Sequence, residues 1–232
     1  MKAKISFLAL VCLAFALMLA LPSLAGMWRD DFEDGDYDGW WQSAGTPGKW
    51  VVEDGEVSGE VTGNVSGELV TGKPKWRDYT IECKIKFLGG GMRYGGMVAR
   101  YQDTIRSYWF FLLVGVGAQG GLSTVGPLEV KQAQQFPVEF GTWYKLKLEV
   151  DKNDFKFYVG DKLLIEFNDN TFDSGLVGLF VIDAHVHFDD VIITGPEIPD
   201  GGYWDPAKHP GEKAVEPKGK LAATWGEIKR SR

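Results

Sequence analysis

The stretch that decides the fold is Leu176–Gly195, LVGLFVIDAHVHFDDVIITG. From Ile182 to Phe188, apolar residues alternate with aspartate and histidine. This alternation predicts a half-buried β-strand, because successive side chains of a strand point to opposite faces of the sheet. The glycine and proline that follow, Gly195-Pro196, are typical of a turn. The stretch therefore indicates one long strand with a single face in the core.

Other parts of the chain also show the patterns of β-strands and hairpin turns. Apolar residues alternate with polar ones over 79–87 and again over 144–150, and Asp54-Gly55 forms a two-residue hairpin signal. The chain has 30 glycines and 13% aromatic residues, and it has no long helical period. Short strands joined by Gly, Asn and Asp turns predict an all-β sandwich or barrel.

The N-terminal residues 1–25 are predicted to be a secretory signal peptide. Lys2 and Lys4 give a positive start, an apolar run follows, and Ser23-Leu24-Ala25 offers small residues for cleavage. The alternative is a membrane anchor, but the apolar run is short for a span, which needs about 20 residues. We therefore expect a secreted protein, extracellular or periplasmic, with no stable membrane insertion after cleavage.

The rest of the chain divides into three parts. Residues 26–195 form the predicted domain, and the Pro- and Gly-rich residues 196–219 are predicted to be a mobile linker. In residues 220–232, Leu221, Trp225 and Ile228 are spaced as on one face of a short helix. A helix of this length is too short to be stable alone, so the segment either packs on something or stays disordered.

Charge and cysteine content exclude some functions. The net charge is −7, and loss of Lys2 and Lys4 makes it two units more negative. An acidic protein has no electrostatic attraction to phosphate backbones, so nucleic acid is not an expected partner. After removal of the leader, Cys83 is the only cysteine, so no intrachain disulfide can form. Its apolar neighbours predict a buried thiol.

Two strands of nearly continuous apolar and aromatic character suggest a ligand-binding face. In the stretch 95–102, Arg100 and Gln102 fall on one face by simple alternation, and Trp109 lies in the next predicted strand. Arg100, Gln102 and Trp109 are therefore the candidate ligand-binding residues of a groove with an aromatic wall. The alternative is that Trp109 belongs to the core and that Arg100 forms an ion pair at the rim.

An acidic segment near the start of the domain suggests a metal site. Asp34, Asp36 and Asp38 have the D-x-D-x-D-G spacing that places oxygen ligands around calcium. The full twelve-residue calcium loop needs a glutamate where Gly45 stands, so that pattern is incomplete. The alternative is an ordinary solvated acidic turn.

A second set of candidate metal ligands lies on the predicted strand Leu176–Gly195. Asp183, His185, His187 and Asp189 form a D-x-H-x-H-x-D series on one strand face. Two imidazoles spaced in this way can share a transition metal. The alternative is a solvated outer face, and a closed zinc site from a single strand is geometrically awkward.

Seven motifs follow one another along the chain: DDFEDGDYDGW, KWVVEDGEVSG, WRDYTIECKIKF, GGMVARYQD, YWFFLL, FGTWYKLKLEVDKNDFKFYVGDKLL, and GLVGLF with FDDVIITG. The order of these motifs resembles the concanavalin A-like lectin/glucanase superfamily. It is most similar to laminin-G-like domains and to the 3-keto-disaccharide hydrolase-type domain, over about Asp30–Gly195. The resemblance implies a jelly-roll β-sandwich of two antiparallel sheets, with a concave face that binds sugar in many members.

The resemblance also implies a structural calcium site. Related modules often hold a structural Ca²⁺ between an N-terminal Phe-Glu segment and an Asp-Asp-Val segment of the last strand. Phe32-Glu33 and Asp189-Asp190-Val191 match these pieces. The expected calcium ligands are therefore Glu33, Asp34, Asp36, Asp38 and Asp190.

No catalytic pair is visible in the sequence. Glycoside hydrolysis needs two carboxyl groups about 5–9.5 Å apart across the bond. The nearest match to the family-16 glucanase pattern, Glu149–Asp154, ends in aspartate and falls on a hairpin turn. The sequence thus favours a non-catalytic carbohydrate-binding module with a glycan partner. The alternatives are a sugar hydrolase of the 3-keto-disaccharide type and a structural module that binds an extracellular protein.

Overall fold

The computed structural model describes residues 25–43, 48–123, 128–205 and 207–209. These residues form thirteen β-strands: β1 (Gly26–Asp30), β2 (Trp41–Gln42), β3 (Lys49–Glu53), β4 (Glu56–Thr71), β5 (Tyr79–Asp103), β6 (Arg106–Leu113), β7 (Gly117–Ser123), β8 (Glu129–Gln135), β9 (Trp143–Asp151), β10 (Asp154–Val159), β11 (Lys162–Asn168), β12 (Leu176–Gly195) and β13 (Gly201–Gly202). The prediction of an all-β fold is confirmed.

The deciding stretch, β12, lies at the centre of the sheet. It pairs with β4 on one side and with β5 on the other, in antiparallel register along most of its length. The first part of β5 continues into β9, β10 and β11, whereas its last part continues into β6, β7 and β8. Because β4, β5 and β12 run through both halves, the expected two antiparallel sheets are two layers of one continuous sheet. We name them the β9–β11 layer and the β6–β8 layer.

The three long strands bend at one place. At Asp183 the backbone of β12 has a φ of 44° and its register with β4 and β5 shifts. The Asp183 carboxylate accepts hydrogen bonds from the backbone N–H of Gly63 on β4 (2.9 Å) and of Met92 on β5 (2.8 Å). Gly90 has a φ of 124°, and a Cβ there would lie 2.4 Å from the Asp183 carbonyl. Asp183 therefore has a structural role at the bend.

Aromatic packing joins the two layers. Phe110 on β6 stacks on Phe155 of β10 and Phe167 of β11, with ring centroids 5.7 and 5.4 Å apart. Large buried aromatic side chains contribute most of the apolar area removed from water in a core of this kind. Cys83 lies in the same core as predicted, and burial raises the pKa of its thiol.

The chain after β12 returns to the domain. Ile198 is buried, Asp200 accepts a hydrogen bond from the Met27 N–H (2.9 Å), and β13 pairs in parallel with β1. We call residues 196–205 and 207–209 the C-terminal strap. The prediction of a mobile linker is wrong for this part, because Ile198 supplies apolar contact and the edge of β1 supplies backbone partners. Residues 1–24, 210–219 and 220–232 lie outside the described residues.

Candidate functional site

A row of cross-strand partners crosses the outward face of the β6–β8 layer. Trp41 stands opposite Val70, and Val98 stands opposite Trp109, with Gly178 of β12 between the two pairs. Directly opposed residues share a face of the sheet, so these side chains form one surface. We call it the outer aromatic face, and its buried residues are Val70, Val98, Tyr101, Trp109, Phe111 and Phe180.

The two tryptophans of this row have different environments. Trp109 is only 6% exposed, its ring centroid lies 4.6 Å from that of Phe180, and its indole N–H donates to Ser107 Oγ at 2.6 Å. Trp41 on the short strand β2 is 44% exposed. The accessible aromatic surface is therefore at the β2 edge of the outer aromatic face.

Polar groups lie beside this edge. Ser43, which follows β2, donates its backbone N–H to the Glu68 carbonyl of β4 (3.0 Å), and its hydroxyl contacts the Tyr101 hydroxyl of β5. Burial raises the pKa of Tyr101 to about 12, and the Ser43 hydrogen bond opposes this increase while the negative charge of Glu68 adds to it. Tyr101 therefore stays protonated. Tyr101 and Glu68 are buried, so the exposed indole of Trp41 and the half-buried Ser43 are the groups that a ligand could reach at this edge.

The sequence analysis missed Trp41, Glu68 and Tyr101. Trp41 follows the acidic segment immediately and lies in a strand of only two residues. So short a strand leaves no periodicity to read, and only its pairing with Val70 places Trp41 on the face.

The structure does not place the three predicted ligand-binding residues together. Arg100 has a φ of 46°, which reverses the expected alternation, so its side chain enters the main core and lies 5.1 Å from the Phe155 ring. Arg100 is 1% exposed. The prediction that Arg100 shares a groove with Gln102 and Trp109 is wrong for this reason.

The guanidinium of Arg100 instead connects three separate segments of the chain. It donates to the backbone carbonyls of Phe172 (2.9 Å), Arg77 (3.3 Å) and Lys152. Gln102 is exposed and donates to the Ser174 carbonyl at 3.2 Å. Binding roles for Gln102 and Trp109 stay predictions.

The acidic segment and the end of β12 are adjacent, as expected. Asp30 of β1 pairs with Val191 of β12. Burial raises the pKa of Asp30 to about 7, although its carboxylate accepts hydrogen bonds from the Phe32 N–H (3.0 Å) and the Trp40 indole N–H (2.8 Å). Burial, and next the charge of Asp190, raise the pKa of Asp189 to about 6.

Side chains of the C-terminal strap contact the neighbouring carboxylates. Nε2 of His209 lies 3.2 Å from Asp31 Oδ2 and 3.5 Å from Asp190 Oδ1. The Lys208 ammonium forms an ion pair with Glu33. We call Asp31, Glu33 and Asp190 the carboxylate cluster. Lys84 of β5 forms a further ion pair with Asp190.

The expected calcium ligands do not fit the ion as they stand. Asp34, Asp36 and Asp38 lie on the neighbouring turn, where Asp36 accepts a hydrogen bond from the Asp38 N–H at 2.8 Å. Glu33 and Asp190 are each paired with a lysine. In the part of the chain that the structure describes, no three Asp, Glu, His or Cys side chains converge as a metal site. The prediction of bound Ca²⁺ remains untested.

The residues of the D-x-H-x-H-x-D series contact different partners and do not converge on one point. His185 Nε2 lies 3.0 Å from Ser58 Oγ, and His187 Nδ1 lies 2.5 Å from Glu56, which also pairs with Lys86 at 2.9 Å. Asp183 lies at the bend of the strands. The arrangement corresponds to a polar outer face of the β9–β11 layer.

The acidic residues of the segment 149–154 lie on and beside a hairpin turn, as the sequence predicts. Asp151 and Asp154 are opposite each other at the β9–β10 turn. Glu149 accepts hydrogen bonds from Lys147 (2.7 Å) and from the Tyr158 hydroxyl (3.1 Å), and the Lys147 contact contributes most to lowering the pKa of Glu149.

Comparison with known proteins assigns the chain to a family. Residues 27–194 match the model of the 3-keto-alpha-glucoside-1,2-lyase-like domain. The chain therefore belongs to this family, and its fold is that of the concanavalin A-like lectins and glucanases.

Individual relatives include glycan-processing proteins. Levanase of Bacillus subtilis (strain 168) is 31% identical over 121 residues, which is 49% of this chain and 17% of that protein. The chain thus spans less than a fifth of this curated relative. The carbohydrate-binding module CBM66 from B. subtilis is 24% identical, with a TM-score of 0.62 over 68% of this chain and 96% of the module. A protein with a galectin-like fold from B. subtilis is 11% identical, with a TM-score of 0.55 over 72% and 94%.

Among the described residues, no helix has the length and hydropathy that crossing a membrane would require.

Proposed function

We propose that the domain binds glycans, and that the exposed edge of the outer aromatic face around Trp41 is the binding surface. The observation that carries this proposal is the 44% exposure of Trp41 on a face where Tyr101, Trp109, Phe111 and Phe180 are buried. An exposed indole can stack on the apolar face of a sugar ring, while the half-buried Ser43, two residues along the chain, places a hydroxyl at the same edge. Family membership and the similarity to a levanase support the proposal.

The surface suits a neutral glycan. The chain carries a net charge of −7, and Glu68 places a carboxylate near the proposed site. Anionic polysaccharides would meet like charge near this edge, whereas a neutral glycan would meet no such repulsion.

Substitution of Trp41 tests the proposal. We expect Trp41→Ala to weaken binding at least tenfold, or about 1.4 kcal/mol, because aromatic anchors dominate interfaces of this kind. Affinity electrophoresis against levan, xylan, arabinan and mixed-linkage β-glucan would identify a ligand, and titration calorimetry would give its affinity. The matched control is Leu163→Ala, which removes a similarly exposed apolar side chain (40%) from β11.

Two results would contradict the proposal. One is the absence of binding to every polysaccharide tested, which would favour a structural or protein-binding module. The other is equal affinity of Trp41→Ala and the wild-type domain. Trp109→Ala is a poor probe, because Trp109 is buried and its removal would leave a cavity that destabilises the domain.

A second candidate function is elimination from a 3-keto-glucoside, which the family description favours. Such a reaction needs a base near an acidic C–H bond and an acid near the leaving oxygen. Glu68 and Tyr101 are a carboxylic acid and a phenol on the same face, close enough for the charge of Glu68 to affect the pKa of Tyr101. Both are buried, so a substrate would reach them only if the β2 edge moved aside. Incubation with a 3-keto-disaccharide would test this function. Product formed by the wild-type domain and lost in Glu68→Gln would support it.

A further inference from the structure

The fold family implies a divalent cation at the carboxylate cluster, but the structure places two side chains of the C-terminal strap there. Lys208 pairs with Glu33, and His209 lies between Asp31 and Asp190. We propose that Lys208 and His209 take the place of a structural metal ion, so that the domain is stable without calcium.

Burial of the acids makes a counter-charge necessary. The side chain of Asp31 is only 1% exposed, and those of Asp190 and Glu33 are 16% and 17% exposed. Carboxylates so close together and so far from water repel one another unless a cation or hydrogen-bond donors compensate them. His209 is itself 14% exposed and contacts two of the three carboxylates, which is the bridging position that a metal ion would otherwise occupy.

Other contacts of the C-terminal strap hold Lys208 and His209 in place. The Asp205 N–H donates to Asp31 Oδ2 at 2.6 Å. Trp204 stacks on the His209 ring with centroids 4.0 Å apart, and the guanidinium of Arg29 lies 4.9 Å from the Trp204 ring. The imidazole is therefore fixed between an aromatic ring and two carboxylates.

Other charges also face the cluster. Asp189 adds a carboxylate from β12, Asp34 adds one from the turn after β1, and Lys84 adds an ammonium from β5. With Lys84 alone, the carboxylates would outnumber the cations. Lys208 reduces that excess from within the chain, and His209 places a ring nitrogen within 3.5 Å of two of the carboxylates.

The test uses the full chain and two kinds of variant. We expect Lys208→Gln/His209→Gln to lower Tm by about 2–6 °C, because it removes the charge that compensates buried carboxylates. The charge-retaining variant Lys208→Arg should keep the wild-type Tm. The control Lys145→Gln, which removes an ion pair with Glu82 on the same face, should also leave Tm unchanged.

Calcium addition and removal provide the second readout. The Tm of the wild-type chain should be the same in EDTA and in CaCl₂, at matched ionic strength with NaCl. A specific increase in CaCl₂, or calcium binding detected by calorimetry, would overturn the proposal. A Gln double variant as stable as the wild type would also overturn it. Neither result depends on glycan binding, so this test is separate from that of the proposed function.

Discussion

Replacing Arg100 by methionine is expected to lower the free energy of unfolding by about 3–5 kcal/mol. The substitution keeps a long apolar stem but removes the donors that serve the carbonyls of Phe172, Arg77 and Lys152. Each buried carbonyl that loses its donor costs about 1–3 kcal/mol, and these costs are not additive. Urea denaturation followed by tryptophan fluorescence would measure the change.

The control for Arg100 is another arginine of the same strand region. Arg106 is exposed and pairs with Asp103 at 2.5 Å, so Arg106→Met should lower the free energy of unfolding far less than Arg100→Met. Arg100→Lys should be nearly as damaging as Arg100→Met, since a single ammonium cannot reproduce the fork of a guanidinium. If Arg100→Met cost no more than Arg106→Met, the structural role of Arg100 would be refuted.

The second large effect is a pH dependence caused by Asp30. Its pKa is raised from the ordinary value of 3.8 to about 7 by burial, so the folded domain holds this proton more tightly than the unfolded chain does. The stabilising contribution is full below about pH 4, decreases as the pH rises through 7, and is then absent. Linkage gives an effect on the order of 3 kcal/mol.

The substitution Asp30→Asn should remove the pH-dependent contribution of Asp30 to the stability of the domain. Other groups change the stability in the opposite direction as the pH rises. One of them is Asp169, whose pKa is lowered to about 2 by hydrogen bonds that outweigh its burial. The informative quantity is therefore the difference in unfolding free energy between wild type and Asp30→Asn at pH 4.5, 6 and 8. This difference should shift in favour of the variant as the pH increases. A difference that is constant with pH would contradict the prediction.

Prediction of the buried face of a strand succeeded where the alternation is regular and failed where one backbone angle interrupts it. The alternation in β5 placed Tyr79, Ile81 and Ile85 in the core correctly. At Arg100 a φ of 46° interrupts the alternation, and a pattern that assumes period two then assigns the wrong face. A positive φ at arginine has no sequence signature, because the surrounding contacts impose it.

By itself, the sequence determined the all-β class, the strand character of Leu176–Gly195 and the Asp54-Gly55 hairpin, since all of these depend on neighbouring residues along the chain. Only the tertiary structure decided that Trp41 lies on the outer aromatic face and that Lys208 reaches Glu33, 175 residues away. The physical reason is that side-chain alternation is encoded locally. Pairing between distant segments depends on the free energy of the whole packed chain, which no short pattern contains.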